Sequence, residues 1–349
     1  VIPEILKNYN PTEFADFSVR FYATPLDAEM GDLNTALDEN IFENDFNGQE
    51  IFVRVENIKN SPIVCVNTRL SFKINIKPLP SFFVMGEENI DDPRIVCLNN
   101  TALTLKADNP GAIYTYQWTN EVGDNLGNNA TLGVTTAGNY TVSASDKVNG
   151  CSRSRTIVVK ESNIATLEES FITIIDEANT IGNTNTISVS IDTISNNLGP
   201  GAYQYALRNE NNSNRYPFSG FQDTPVFENL EGGIYTIIVN DKNGCLPDAE
   251  LQISVIQFPK FFTPNGDGKN DTWSIKGANK SFYPNSSIDI YNRFGKLVAQ
   301  IPIDSQGWDG TYNGTRLPSD DYWFRVQLIP ANTNKIPITK KGHFSLLRR

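Results

Sequence analysis

Gly233-Ile-Tyr-Thr-Ile-Ile-Val-Asn-Asp241, running on to Asn243-Gly244-Cys245, decides the fold. Its middle is β-branched and aromatic, and Gly stands at one end and Asn-Gly beyond the other. That is the composition of a strand entering a tight turn. A second copy stands at Gly138-Asn-Tyr-Thr-Val-Ser-Ala-Ser-Asp146 ahead of Asn149-Gly150-Cys151, and a looser one at Phe52-Val-Arg-Val-Glu-Asn57 ahead of Cys65. Each copy predicts a hairpin: a Tyr- or Phe-bearing strand, an Asn-Gly-type turn and a last strand. The last strands end at short breaks, Lys77-Pro78-Leu79-Pro80, Lys160-Glu161-Ser162-Asn163 and Gln257-Phe258-Pro259.

Outward from these hairpins, apolar and polar residues alternate with period two. Examples are Leu70-Ser-Phe-Lys-Ile-Asn-Ile76, Arg155-Thr-Ile-Val-Val159 and Asp321-Tyr-Trp-Phe-Arg-Val-Gln-Leu328,. Asp27 to Leu37 alone could be helical, or equally a loop. Repeats of about 80 to 95 residues with a strand every 8 to 12 have the size of immunoglobulin sandwiches. The expectation is an all-β chain of four tandem Ig-like β-sandwich domains, 1–80, 81–161, 162–257 and 258–349. Trp118, mid-repeat on an alternating strand, is expected to pack across its sandwich.

Composition narrows the function. The 349 residues hold 37 aromatics, one His, four Cys and a net charge of −11. A single His, His343, cannot build a multi-His metal centre and could serve a Ser-His-Asp triad only at the tail,. The acidic total argues against nucleic-acid binding along the whole chain. No apolar run is long enough for a membrane helix. The start, Val1-Ile2-Pro3-Glu4, has neither a basic nor an apolar leader region, so a mature form or a fragment is expected,. Cys97 and Cys151 lie in the same repeat, and a disulfide joining them is the expectation, with two buried thiols as the alternative,. Cys65 and Cys245 have no partner within their own repeats; either they are buried thiols or Cys65 pairs with an N-terminal part outside this sequence.

The last segment differs in charge and in motif density. Thirteen Lys and Arg against seven Asp and no Glu give residues 258–349 a net +6, leaving −17 on the first 257. Opposite signs suggest different partners. Pro259-Lys-Phe-Phe-Thr-Pro-Asn-Gly-Asp-Gly-Lys-Asn-Asp-Thr-Trp273 opens the segment. Ile288-Asp-Ile-Tyr-Asn-Arg-Phe-Gly-Lys-Leu297, Gly307-Trp-Asp-Gly-Thr-Tyr-Asn-Gly314, Leu317-Pro-Ser-Asp-Asp-Tyr-Trp-Phe324 and Gly342-His-Phe-Ser-Leu346 follow in order. Together these resemble the gliding-motility-associated C-terminal domain of Bacteroidetes, the type B sorting domain of type IX secretion cargo. The departures are Asn292, where an Asp is common, and the ending Leu347-Arg348-Arg349. The upstream repeats are similar to the Ig-like or PKD-like arrays that precede this domain in large surface proteins. The resemblance implies a non-enzymatic, adhesin-like protein that is secreted to the cell surface and associated with the outer membrane. It implies three partners: an SprA-like translocon, a PorV-like shuttle and a PorP/SprF-like outer-membrane protein. No direct membrane span and no nucleic acid are expected.

Read physically, Asn265-Gly-Asp-Gly268 is a glycine-rich turn after a strand that Pro264 stops,. Asn265, Asp267 and Asp271 could offer oxygens to Ca²⁺, or form a hydrogen-bonded Asx turn; an EF-hand fails for lack of a bidentate Glu,. No other cofactor is expected. Asp309-Gly310 and Asn313-Gly314 are hairpin signals, Trp308 and Trp323 are expected in the core, and His343 is expected as a packed or edge residue,. No short linear motif dominates, so a sorting signal here must be a folded surface. The expected contacts are the turn of Phe262, Thr263, Pro264, Asn265, Gly266, Asp267, Gly268, Asn270 and Asp271, the hairpin of Gly307, Trp308, Asp309 and Gly310, and the basic residues Lys340, Lys341, Arg348 and Arg349. The competing reading is a carbohydrate-binding module, or accessory domains of a secreted polysaccharide-degrading enzyme. It would stack sugars on Tyr203, Tyr205, Tyr216 and Phe218.

Overall fold

The computed structural model describes residues 1–59, 62, 64–84, 93–108, 113–180, 186–194, 197–218 and 220–348. Their regular secondary structure is nearly all strand, arranged in small sheets. Helix is confined to short pieces such as Pro25–Met30, inside the stretch left open between helix and loop. The Thr24 side chain accepts the Asp27 N–H at 3.1 Å to start that helix, and Gly31, at φ +70°, ends it,. The chain divides into two compact units, one of residues 1–82, 109–116 and 143–154, the other of 83–108, 117–142 and 155–349.

The first unit is built on an antiparallel sheet in the order Ala36–Leu37, Phe17–Tyr22, Gln49–Asn57, Cys65–Ile74. Phe21, Ile51 and Val53 are buried on one face, as the alternation requires,. On the other face Arg54 reaches the Glu56 carboxylate at 2.6 Å and the carbonyl of Ala28 at 2.9 Å.

The second unit shows the sandwich most clearly in residues 162–257. A sheet of Ile172–Ile175, Ser188–Ile191 and Val226–Phe227 packs against one of Arg215–Tyr216, Tyr203–Asn209, Gly233–Asp241 and Ala249–Val255. Val189, Leu207, Tyr235, Ile237 and Val255 fill the space between them. Seven antiparallel strands in two layers is the Ig-like plan. The predicted hairpin is present: Gly233 lies opposite Val255 and Val239 opposite Ala249. Trp118 is fully buried, its indole N–H donating to the Asn129 carbonyl at 2.9 Å.

A tyrosine corner recurs. Tyr140 donates to the carbonyl of Thr136 at 2.9 Å, Tyr235 to that of Glu231 at 2.8 Å and Tyr322 to that of Pro318 at 3.1 Å. Each ring is buried at the start of its strand and satisfies its hydroxyl on the turn four residues back, which fixes how the chain enters the strand,. The C-terminal segment therefore shares this device with the repeats. Its main sheet runs Phe261–Phe262, Ile338–Leu346, Asp320–Leu328, Ser287–Tyr291, Leu297–Pro302, beside a small hairpin of Thr311–Tyr312 and Thr315–Arg316.

The cysteine expectation is corrected. Cys97 bonds to Cys245, and Cys151 and Cys65 are free. Strand Arg94–Cys97 pairs in parallel with Ser152–Ser162, placing Cys97 beside Ser162. Cys151 precedes the other end of that strand, ~36 Å away at 3.3 Å per residue, whereas a disulfide needs Cα atoms within about 7 Å. Cys245 is where the turn of the next repeat meets this end. Asn243 donates to the Ser162 hydroxyl at 3.2 Å, and the Asn99 amide exchanges hydrogen bonds with Ile164 at 2.9 and 3.1 Å.

Candidate sorting surface

The Asn265–Asp271 turn is organised by one carboxylate. Asp271 Oδ1 accepts the N–H groups of Asn265 at 2.9 Å and Gly266 at 2.6 Å, and Oδ2 accepts that of Gly268 at 2.7 Å. Gly266 and Gly268 sit at φ +84° and +82°, which turns their N–H groups toward one point,. Asn265 in turn accepts from Asp267 N at 3.0 Å, and Asp267 from Lys269 N at 2.8 Å. The turn closes where Thr263 N donates to the Asn270 carbonyl at 2.7 Å. So Asp271 serves an Asx-type scaffold with both oxygens engaged. Among the described residues no group of three or more His, Cys, Asp or Glu is placed to hold a metal ion.

The Gly266 and Gly268 N–H groups, with Asn265 N, hold the Asp271 carboxyl below the usual carboxylate range,. Its folded form is thus the stronger acid. Its contribution is complete above the ordinary pKa, about 4, and is lost only as pH falls through the lower folded value. An NMR pH titration should show the Gly266 and Gly268 amide signals unchanged down to that range and shifting only below it. A transition above it would contradict the scaffold.

The second predicted element is mostly fold. Asn313 and Gly314, at φ +48° and +78°, form the two-residue turn of a type I′ hairpin between Tyr312 and Thr315,. Asp309-Gly310 makes an Asx turn instead, with Asp309 Oδ1 accepting from Thr311 N at 2.9 Å. A Cβ on Gly310 would meet Leu346 Cδ1 at 2.2 Å, so only glycine fits. Trp308 is buried, exchanging main-chain hydrogen bonds with Trp273 at 2.8 Å, and Phe262 is buried beside it. Arg348 donates to the carbonyls of Leu317 and Gly310, both at 2.9 Å, tying the tail to this hairpin. Lys340 donates to the Thr180 carbonyl at 2.9 Å. Arg349 lies outside the described residues. Exposed for contact are Asn265 to Asn270, Asp309 and Lys341.

Two expectations are corrected. Trp323 is not core: it is 41 % exposed on the outward face of the sheet, across from His343, which is also exposed. Nor do Tyr203, Tyr205 and Tyr216 form an open platform. Tyr205 is buried, Tyr203 donates to Asn163 and to the Leu198 carbonyl, and Tyr216 packs edge-on against Tyr235, leaving Phe218 alone fully outside.

Residues 256–346 match the family model of the CHU_C type IX secretion signal domain. A signal of this kind marks the chain as type IX secretion cargo and implies export. Residues 1–80 match the model of the Flavobacterium inter-domain disulphide bond domain. No curated protein matches the chain. Among solved structures, Sidekick-1 immunoglobulin domains 1–5 are 11 % identical over 95 % of this chain and 74 % of theirs, with a TM-score of 0.29. The fibronectin(III)-like modules of Clostridium thermocellum CbhA are 14 % identical over 50 % and 94 %, with a TM-score of 0.28. No described helix is long and apolar enough to cross a membrane.

The signal domain is fastened to the repeat before it, through residues that the sequence did not single out. Asp176 is fully buried; its Oδ1 accepts Ala178 N at 3.0 Å and Asn179 N at 2.8 Å, and its Oδ2 accepts Ile256 N at 2.8 Å. Burial pushes its carboxyl up, against the opposing pull of those N–H groups,. Glu177 accepts Phe258 N at 2.7 Å, and Ala178 packs into the signal-domain core. Three signal-domain lysines also meet acids of the repeat: Lys335 with Glu169 at 3.0 Å, Lys276 with Glu231 at 3.2 Å and Lys260 with Glu177 at 3.7 Å. Part of the charge contrast is therefore neutralised within the chain rather than by separate partners. Asp176→Ala would leave three N–H groups unpaired and should cost about 3 kcal/mol or more. Limited proteolysis of the full chain should then cleave near Phe258 faster than in the wild type. Equal rates would show that the junction does not depend on Asp176.

Proposed function

We propose that the chain is the C-terminal part of an adhesin-like surface protein, in which a folded signal directs export through the type IX system and attachment at the outer membrane. The domains are 1–80, 81–161, 162–257 and 258–349, the first three forming a stalk. The observation that carries this reading is the Asn265–Asp271 turn. It projects from a domain matched to a secretion signal, and its shape is held by its own carboxylate, so a receptor meets it already ordered,. The proposed readers are an SprA-like translocon, a PorV-like shuttle and a PorP/SprF-like outer-membrane protein, contacting the turn, Asp309 and Lys341. The stalk carries no catalytic role in this reading.

The test is fractionation of cells that possess a type IX system. The full chain should reach the surface or the medium, and the chain lacking 258–349 should stay in the periplasm. Unchanged secretion of the truncated chain refutes the sorting role. Asp271→Ala, which removes the scaffold of the turn, should reduce export without unfolding the sandwich.

A further inference from the structure

The outward face of the signal-domain sheet carries a second surface, separate from the turns. Antiparallel pairing sets Tyr291 opposite Trp323 and Trp323 opposite His343 in one row, with the Trp323 and His343 rings 6.3 Å apart. The next row sets Asp289 opposite Arg325 and Arg325 opposite Lys341. Between the rows lies a shallow cleft of 490 Å³ lined by Tyr291, Arg293, Trp323, Arg325 and Lys341. Asp289 is engaged by the Gln300 side-chain amide at 2.9 Å, and Arg293 approaches Asp320 at 3.7 Å. Among the described residues the Arg325 and Lys341 side chains make no ion pair or hydrogen bond. An exposed indole beside two unpaired cations is an expensive surface to leave bare, since large apolar side chains and unmatched charge on one patch mark contact sites.

We propose that this face binds an acidic polysaccharide, a glycan carrying carboxylates. The Trp323 and Tyr291 faces, negative at their centres, suit the C–H faces of pyranose rings. Arg325 offers a planar fork to a carboxylate, and Lys341 offers a point charge beside it. An acidic peptide fits less well. The cleft lies chiefly over Ser287–Tyr291 and Asp320–Leu328, each of which has a paired strand on both sides, so an added strand would gain no backbone hydrogen bonds there,.

The fold supplies its own reporter. Trp118, Trp273 and Trp308 are buried, and Trp323 is the exposed indole. Acrylamide quenching of the full chain therefore reads this face. Polygalacturonate should protect Trp323 from the quencher, neutral dextran should not, and polyglutamate should protect far less. Arg325→Ser and Lys341→Ser, both at exposed positions, should each weaken the polygalacturonate effect about tenfold or more, the loss of one charged hydrogen-bond donor. The proposal is overturned if dextran protects equally, if polyglutamate binds as well as polygalacturonate, if polygalacturonate gives no protection, or if both variants bind unchanged. Variant melting curves matching the wild type would assign a loss of binding to the face and not to unfolding.

Discussion

Replacing Trp273 by Ala is expected to melt the signal domain early and stop export, while Trp323→Ala leaves the fold nearly intact. Trp273 is fully buried and stacks on Phe344 with ring centroids 3.9 Å apart and planes 11° from parallel. It touches Phe324 at 5.1 Å, donates its indole N–H to the Pro259 carbonyl at 2.8 Å, and exchanges two main-chain hydrogen bonds with Trp308. Truncating such a ring removes apolar burial, leaves a cavity and strips the Pro259 carbonyl of its donor, together about 3–5 kcal/mol. In a domain of this size each kcal/mol moves the midpoint by about 4–8 °C, so a fall of roughly 12–40 °C is expected. Trp323 projects outward, and its loss should stay near the range of surface substitutions, about 0.5 kcal/mol. Thermal melts of the two variants check this directly. Equal shifts would mean that the facing of strand Asp320–Leu328 is wrong.

The second large effect belongs to Cys97–Cys245. The bond spans 148 residues and joins two repeats, beside the side-chain hydrogen bonds of Asn99 and Asn243. Removing it should cost about 2–5 kcal/mol, because cross-linking so long a loop takes much of the entropy out of the unfolded chain. Before reduction, alkylation of the unfolded chain should add two adducts, at Cys65 and Cys151; after reduction it should add four. A peptide linking Cys97 to Cys151, or four adducts without reductant, would refute the pairing. The Cys97→Ser/Cys245→Ser chain should unfold at lower denaturant than the wild type.

The strands were legible because alternation is local. Tyr140, Val142 and Ala144 of Gly138–Asp146 take the buried face by their own chemistry, and the Asn-Gly turns set the hairpins without help from distant parts of the chain,. The Asp271 turn was legible for the same reason: its donors and acceptor lie within seven residues. Even the outward facing of Trp323 had a signal, since it shares parity with Arg325 and Gln327 while Tyr322, Phe324, Val326 and Leu328 share the buried one.

The rest depended on which ends of which strands meet. Sequence placed Cys65, Cys151 and Cys245 after equivalent turns and Cys97 in the repeat of Cys151, but not that Cys97 finishes beside the turn of the following repeat. A disulfide tests distance in space, and 148 residues of chain carry no record of it. Asp176 looked like any acid in an acidic chain; only the docking of Ile256 against it makes it a buried anchor. Sequence by itself therefore determined an all-β chain ending in a secretion signal. Tertiary structure alone decided the disulfide pairing, the fastening of the signal to the repeat before it, and which cations were left free, because each of these is a meeting of groups that are far apart along the chain.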